Sequence, residues 1–282
     1  MRSLRGGRHH SRVLTTELDT PYQLAEDAVE CFRHDGFVHL HNVLSAETLE
    51  RYGEEITAKV VELNTMRLPL EERSTYDKAF LQVTNIWTQS EVARKLVFSR
   101  RLAQIATELL GTKGVRLYHD QALYKEPGGG ITPWHADQYY WPLSSELTVT
   151  AWIPLQDTPV EMGPLSFASG SQSFPALRDL SISDDSERLI QEAMERERFP
   201  YVQEPFALGD VSFHYGFTFH RAPANLSDRP RRVMTVIYMD RDIKVTEPIN
   251  KDQRGDLEAW LADARIGESP DGPLNPVLYE HL

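Results

Sequence analysis

Two short stretches, far apart in the chain, hold the residues best able to do chemistry. The first is Pro133-Trp134-His135-Ala136-Asp137-Gln138. Residues two apart in an extended segment point the same way, so His135 and Asp137 can reach one ion. A metal held at this spacing needs at least a third ligand from elsewhere, and the later run from Gly209 to His220 offers His214 and His220. Two imidazoles and one carboxylate on one face of an octahedron make the facial triad of non-haem iron(II) oxygenases, with three positions left open. Beyond His220 a polar turn leads to Arg231, eleven residues on, at the head of an apolar run. An arginine there can grip the distal carboxylate of a ligand in a bidentate fork while the metal holds its other end. His-X-Asp alone is a weak signal; its company at these distances gives it weight.

The elements that must carry these residues change character near Gly111. Before it, helices are expected. Thr20 can cap the first, with Pro21 at its first position and Gln23 completing a capping box. Leu24, Ala28 and Phe32 share its inner face, and Gly36 can close it in a left-handed turn. Phe37–Val43 reads as a strand. A helix following Ser45 buries Leu49, Tyr52, Ile56, Val60 and Leu63, and another over Glu91–Leu110 buries Val92, Leu96, Leu102, Ile105 and Leu109. Beyond Gly111, β-branched and aromatic runs between Gly, Pro and Asp breakers predict strands at Val115–Lys125, Leu147–Leu155, Pro164–Ala168, Val211–Phe219 and Arg232–Asp240. Asp179–Arg198, with seven acids and three arginines, reads as a helix with Ile190 and Ala193 inward. It is either a solvated surface helix or a lid over a barrel mouth. A last helix is expected around Leu257–Leu261. The expected architecture is one domain over 1–282, with helices packed on a sandwich- or barrel-like β core at 115–240 and an unstructured lead-in at 1–15.

Composition excludes several function classes. Against 42 Asp+Glu stand only 30 Lys+Arg, a net charge of −12, which disfavours nucleic acid and anionic membrane surfaces as partners. No run approaches the ~18 apolar residues of a membrane span. No apolar run follows the basic N-terminus, so no secretory signal is expected. One cysteine, Cys31, can form neither an internal disulfide nor a thiolate metal cage. A cytoplasmic soluble protein is expected, monomeric or dimeric. His9 and His10 beside arginines read as a solvated tail, and His119-Asp120 as structural.

With these residues in view, the sequence resembles the phytanoyl-CoA dioxygenase family of iron(II)/2-oxoglutarate oxygenases over nearly its whole length. The resemblance runs through "FRHDGFVHLHNVLS", "LYKEPGG", "WHADQ", "AWIPLQD", "GPLSFASGS" and "GDVSFHYGFTFHRAPANLSDRPRRV" to a late "LNPVLY". It implies a mainly β fold with flanking helices, whose double-stranded β-helix (jelly-roll, cupin-like) core is packed by N-terminal helices. It also implies iron(II) as cofactor with 2-oxoglutarate and O2 as cosubstrates. His135, Asp137 and His220 match the family's iron ligands, and Arg231 matches the arginine that binds the far carboxylate of 2-oxoglutarate. The family pattern prefers His220 over His214, which lies seventeen residues before Arg231. Gln121 and Trp152 match positions that line the cosubstrate. Many relatives carry a hydroxyl residue two after the distal histidine, where this chain has Ala222. Related halogenases replace the carboxylate by Gly or Ala, so Asp137 argues against halogenation.

The implied reaction oxidises, usually hydroxylates, a small organic molecule, with release of succinate and CO2. Relatives can redirect the same chemistry to cyclisation, desaturation or epimerisation. A coenzyme A ester is disfavoured, because the only basic cluster is Arg229, Arg231 and Arg232. A secondary metabolite is preferred, and Tyr139, Tyr140 and Trp141 are candidates either for a wall beside the metal or for core. Two rivals are a cupin-like zinc or manganese enzyme, which leaves Arg231 without a role, and a non-enzymic binding module, which leaves the triad without one.

Overall fold

The computed structural model describes residues 16–281. The expected lead-in at 1–15, His9 and His10 lie outside the described residues.

Two antiparallel sheets form the β core. The larger takes β1 (Phe37–Leu40), β2 (Leu81–Thr84), β3 (Gly114–Lys125), β5 (Thr148–Pro154), β8 (Val211–Tyr215), β10 (Arg231–Asp240) and β11 (Val277–Glu280). Its order is β1-β8-β5-β10-β3-β11, with β2 also paired to β3. The smaller joins β4 (Thr132–His135), β9 (His220–Ala222), β6 (Ser166–Ala168) and β7 (Tyr201–Gln203) in the order β4-β9-β6-β7. This is the jelly-roll architecture that the resemblance implies.

Strand alternation divides the larger sheet into two faces. Ala122 and Tyr124 of β3, Val149, Ala151 and Ile153 of β5, Phe213 of β8, and Met234, Val236 and Tyr238 of β10 enter one apolar core with the helices. The intervening residues, Gln121, Thr150, Trp152, His214 and Thr235, face a cavity on the other side. One face therefore glues the sheet to its helices while the other carries polar chemistry.

The helices covering the apolar face are α1 (Glu26–Asp35), α2 (Ala46–Leu63), α4 (Glu91–Val97) and α5 (Arg100–Leu110), with a single turn α3 (Thr75–Ala79) between. Ser45 caps α2 by accepting the Thr48 N–H at 3.2 Å, and Leu49, Tyr52, Ile56 and Val60 are buried as expected. Gly36 does end α1 in the left-handed region at φ +86°, where a Cβ would meet Gln172 and Thr218 at under 3.0 Å.

Two local expectations fail. Thr20 does not cap α1: its hydroxyl donates to Glu17 O at 2.8 Å, and the helix begins at Glu26. Arg101 of α5 binds Thr20 O and Val43 O, each at 2.9 Å, and this tertiary clasp overrides the local cap. The helix expected over Glu91–Leu110 is two helices. Ser99 interrupts it, accepting the Leu102 N–H at 3.3 Å as a new cap and donating to Leu18 O at 3.1 Å.

The β region departs from expectation where it matters most. Val211–Phe219 is not one strand: β8 ends at Tyr215 and His220 opens β9 in the other sheet. At Gly216 a Cβ would meet Gln138 Oε1 and Thr148 Oγ1 at 2.5 Å, so the chain turns on a glycine packed against its neighbours. His214 and His220 therefore do not share a strand. Strand β4 escapes the sequence pattern because all four of its residues are buried, leaving no alternation, and Pro133 reads as a breaker.

In the acidic stretch α6 (Asp184–Glu197) buries Ser186, Ile190, Ala193 and Met194, with Ile190 and Met194 packed against Trp134 of β4 and Phe219. The last helix, α7 (Lys251–Trp260), starts six residues before the expected Leu257, where Asn250 Oδ1 accepts the Gln253 N–H at 2.8 Å.

Candidate active site

The cavity between the sheets, about 700 Å³, is lined by His135, Asp137, His220, Arg231, Gln121 and Trp152 together. His135 ends β4 and His220 opens β9, and the two are cross-strand partners with ring centroids 4.1 Å apart. Asp137 follows in the 3-10 turn Asp137–Tyr140. Its Oδ1 lies 3.5 Å from Nε2 of each histidine. His135, Asp137 and His220 form a group whose ligand atoms converge within 4.8 Å.

Each imidazole is held by its own chain. His135 Nδ1 lies 2.7 Å from Pro133 O, and His220 Nδ1 lies 2.9 Å from Thr218 O. A ring that donates from Nδ1 to a carbonyl presents the Nε2 lone pair, the state in which histidine ligates a metal. Burial, reinforced by His135, holds His220 well below the usual histidine range and so keeps it neutral. Burial works to raise Asp137, but His220, His135 and His214 outweigh it and hold this carboxyl well below the usual range. A carboxylate and two imidazoles presenting Nε2 suit a divalent cation.

His214 stands behind the carboxylate. Its Nδ1 is buried without a partner, so the ring proton belongs on Nε2, which donates to Asp137 Oδ2 at 3.3 Å. Thr150 Oγ1 donates to the same oxygen at 3.0 Å. These contacts fix the rotation of Asp137 and leave Oδ1 facing the two histidines.

Arg231 is 1% exposed, and among the described residues no carboxylate pairs with it. Its guanidinium lies 5.5 Å above the Trp152 ring, Nη1 donates to Gly163 O at 2.5 Å, and Nε is buried without a partner. Burial pushes it down to about 9. Lys125, also fully buried, donates to Gly130 O and lies 3.3 Å from Thr132 Oγ1. Burial, and then Arg231 and Arg221, push Lys125 well below the usual lysine range. Two buried basic side chains with no carboxylate partner among the described residues describe a socket for an anion. Arg232, the next residue, faces away and donates to Gln156 Oε1 at 2.6 Å. Thr132 pairs with Ala222 across β4–β9, so a hydroxyl stands opposite the position where relatives carry theirs.

Other lining residues escaped sequence reasoning. Asp252, Asp256 and Trp260 come from α7, and Tyr76 from the α3 turn. Asp256 accepts from Tyr118 Oη at 2.9 Å, and burial pushes it up to about 7. The α7 residues reach the cavity with no local signal in the sequence. Tyr140 and Trp141 line the cavity, whereas Tyr139 turns aside to donate to Asp252 at 2.9 Å. His119 also reaches the cavity, while Asp120 is structural, accepting the N–H groups of Ile86 and Trp87. Helix α6 is fastened to both ligand-bearing strands, because Glu187 accepts the Trp134 N–H at 2.8 Å and pairs with Arg221 at 2.7 Å. Ser181 and Ile182, just before it, rim the cavity.

Comparison with known proteins fits this geometry. The chain is 21% identical over 295 residues to the phytanoyl-CoA dioxygenase domain-containing protein 1 homolog of Caenorhabditis elegans, covering 87% of this chain and 98% of that protein. The crystal structure of SnoK, a non-heme alpha ketoglutarate dependent carbocyclase from nogalamycin biosynthesis, is 30% identical, with a TM-score of 0.75 over 92% of this chain and 99% of that one. SnoN, a non-heme alpha ketoglutarate dependent epimerase from the same biosynthesis, is 28% identical, with a TM-score of 0.74 over 90% of this chain and 98% of that one. SnoN is also known in complex with Fe3+, alpha ketoglutarate and nogalamycin RO. None of the helices among the described residues is long and apolar enough to cross a membrane. The family model for phytanoyl-CoA dioxygenase matches residues 32–233, well over half of the sequence, and the chain belongs to that family of iron(II)- and 2-oxoglutarate-dependent enzymes.

Proposed function

We propose that His135, Asp137 and His220 hold iron(II), that Arg231 binds the far carboxylate of 2-oxoglutarate, and that the enzyme oxidises a small organic molecule of natural-product type. The observation that carries this reading is a triad of two imidazole nitrogens and one carboxylate, together with a buried guanidinium that has no carboxylate partner among the described residues, in one cavity. Bound iron(II) supplies the coupling of dioxygen reduction to decarboxylation of 2-oxoglutarate. The chain's own residues do the rest. Arg231 offers a planar fork to the carboxylate, Trp152 shields one face of that contact from water, and Thr132 offers the hydroxyl that Ala222 cannot. Lys125 stands behind Thr132, with its Nζ 3.3 Å from the hydroxyl. His214 and Thr150 keep Asp137 from rotating. Gln121, accepting from Gln82 Nε2 at 2.5 Å, lines the cosubstrate side.

The substrate side is aromatic and mainly acidic, with Tyr76, Tyr140, Trp260, Asp252 and Asp256 against a single cation, Lys251. Such a wall suits a molecule with flat apolar surface and hydrogen-bond donors. It suits a coenzyme A ester poorly, since Arg231 is buried at the cosubstrate, Arg232 faces outward and Lys251 is the one lysine of that wall. The likeness to a carbocyclase and an epimerase favours a second reading, in which the same chemistry ends in ring closure or epimerisation. Product analysis separates the outcomes. The basic test measures succinate from 2-oxoglutarate in the presence of iron(II), oxygen and candidate substrates. Wild type should release succinate and Asp137→Ala should release none while keeping its fold. Undiminished release by Asp137→Ala would remove the assignment.

A further inference from the structure

Outside the cavity, the described residues bring together a second group of potential ligand atoms, from His39, His41 and Asp210. His39 lies on β1, His41 just beyond its end, and Asp210 immediately before β8, the strand with which β1 pairs. His39 Nε2 and His41 Nδ1 each lie 3.1 Å from the same oxygen, Asp210 Oδ2. Metal bonds of ~2.0–2.1 Å set tetrahedral ligand atoms about 3.3 Å apart, so both contacts are already spaced for one ion.

Hydrogen bonding accounts poorly for this crowding. Asp210 Oδ2 also receives the Ala207 N–H at 3.1 Å, so three groups converge on one carboxylate oxygen. His39 meets a second carboxylate from its other side, with Nδ1 3.3 Å from Glu204 Oε2. A neutral imidazole has one N–H and can satisfy only one of these two acids. With that proton directed at Glu204, Nε2 presents a lone pair to the lone pairs of Asp210 Oδ2, and a cation between them resolves the conflict. Carboxylate, imidazole and metal in line is also the arrangement that orients ligating histidines elsewhere.

We propose that His39 Nε2, His41 Nδ1 and Asp210 Oδ2 form a second metal site, separate from the iron triad, for a divalent cation of the zinc class. Two imidazoles and one carboxylate select zinc, nickel or copper over calcium and magnesium. His39 and Asp210 side chains are 10% and 6% exposed, while His41 is 69% exposed, so the site is anchored inside and opens to water on one side. Glu204 orients His39. The bound ion clips the edge strand β1 to the turn that enters β8, the strand bearing His214.

The test counts zinc per chain after equilibrium dialysis of metal-free, full-length protein. Wild type should bind two equivalents, and the double variant His135→Ala/His220→Ala should keep one. His41→Ala should lose one equivalent, with an unchanged melting temperature in the absence of metal because the ring is exposed. Glu204→Gln should weaken the second equivalent about tenfold. Loss of all zinc from His135→Ala/His220→Ala overturns the proposal, whatever the wild-type count, because the second site is independent of the triad. So does a second equivalent that survives His39→Ala/His41→Ala, or one that is lost on replacing His9 and His10.

Discussion

Replacing Arg231 by methionine should sever 2-oxoglutarate binding without harming the free protein. The guanidinium is 1% exposed, has one carbonyl acceptor and no carboxylate partner among the described residues. Burial pushes it from 12.5 to about 9, equivalent to desolvation on the order of 5 kcal/mol. Losing one partner of a buried, hydrogen-bonded ion pair costs about 3–5 kcal/mol, the same scale. At about 1.4 kcal/mol per decade, affinity for 2-oxoglutarate should fall by roughly two to four orders of magnitude. Without cosubstrate the sign reverses: Arg231→Met removes an unpaired buried charge, so its melting temperature should be no lower than that of wild type. Titrating 2-oxoglutarate into the anaerobic iron(II) complex measures the first quantity, and thermal melting with and without cosubstrate measures the second. Arg231→Lys should recover only part of the affinity, since an ammonium cannot form the fork. Arg232→Ala should change it little, because that side chain is engaged with Gln156 on the outer side. Wild-type affinity in Arg231→Met, or a large loss in Arg232→Ala, refutes the assignment.

Two further outcomes follow from groups around the site. His214→Phe should weaken iron(II) about tenfold, because Thr150 still holds Asp137 Oδ2, whereas His220→Ala should abolish tight binding; equilibrium dialysis distinguishes them, and the reverse order makes His214 the ligand. Burial raises Asp120 from 3.8 to about 7, so the folded state binds a proton more tightly than the unfolded chain. The stability this group contributes is therefore full below about pH 4 and is lost as pH rises through about 7, up to ~4 kcal/mol in all. Denaturation of Asp120→Asn at pH 5 and pH 8 should show a smaller fall across that interval than wild type, and an equal fall would exclude Asp120 as its source.

How far the sequence could be read differs from residue to residue for physical reasons. The candidate triad and Arg231 were legible because the chemistry proposed for them demands particular residue types at fixed distances, and a strand alternation of two puts Arg231 and Arg232 on opposite sides. Helix α2 was legible because its cap and apolar stripe are local. Thr20 misled because its capping signal is also local, while Arg101, far along the chain, decides what Thr20 does. The strand break after Tyr215 depends on what packs around Gly216, which no local pattern records. His214 matched His220 in residue type and in its even spacing along the run; only the turn between them makes one face the other histidine and the other stand behind Asp137. The α7 wall of the cavity was invisible because it reaches the site purely by tertiary packing.

The central claim is that one cavity binds iron at His135, Asp137 and His220 and 2-oxoglutarate at Arg231. Crystals grown anaerobically with iron(II) and 2-oxoglutarate, measured at the iron absorption edge, test it most directly. The account predicts an anomalous peak bonded to His135 Nε2, Asp137 Oδ1 and His220 Nε2, with the far carboxylate of 2-oxoglutarate on the Arg231 guanidinium. An iron peak bonded to His214 instead of His220, or a cosubstrate carboxylate held away from Arg231, would contradict it.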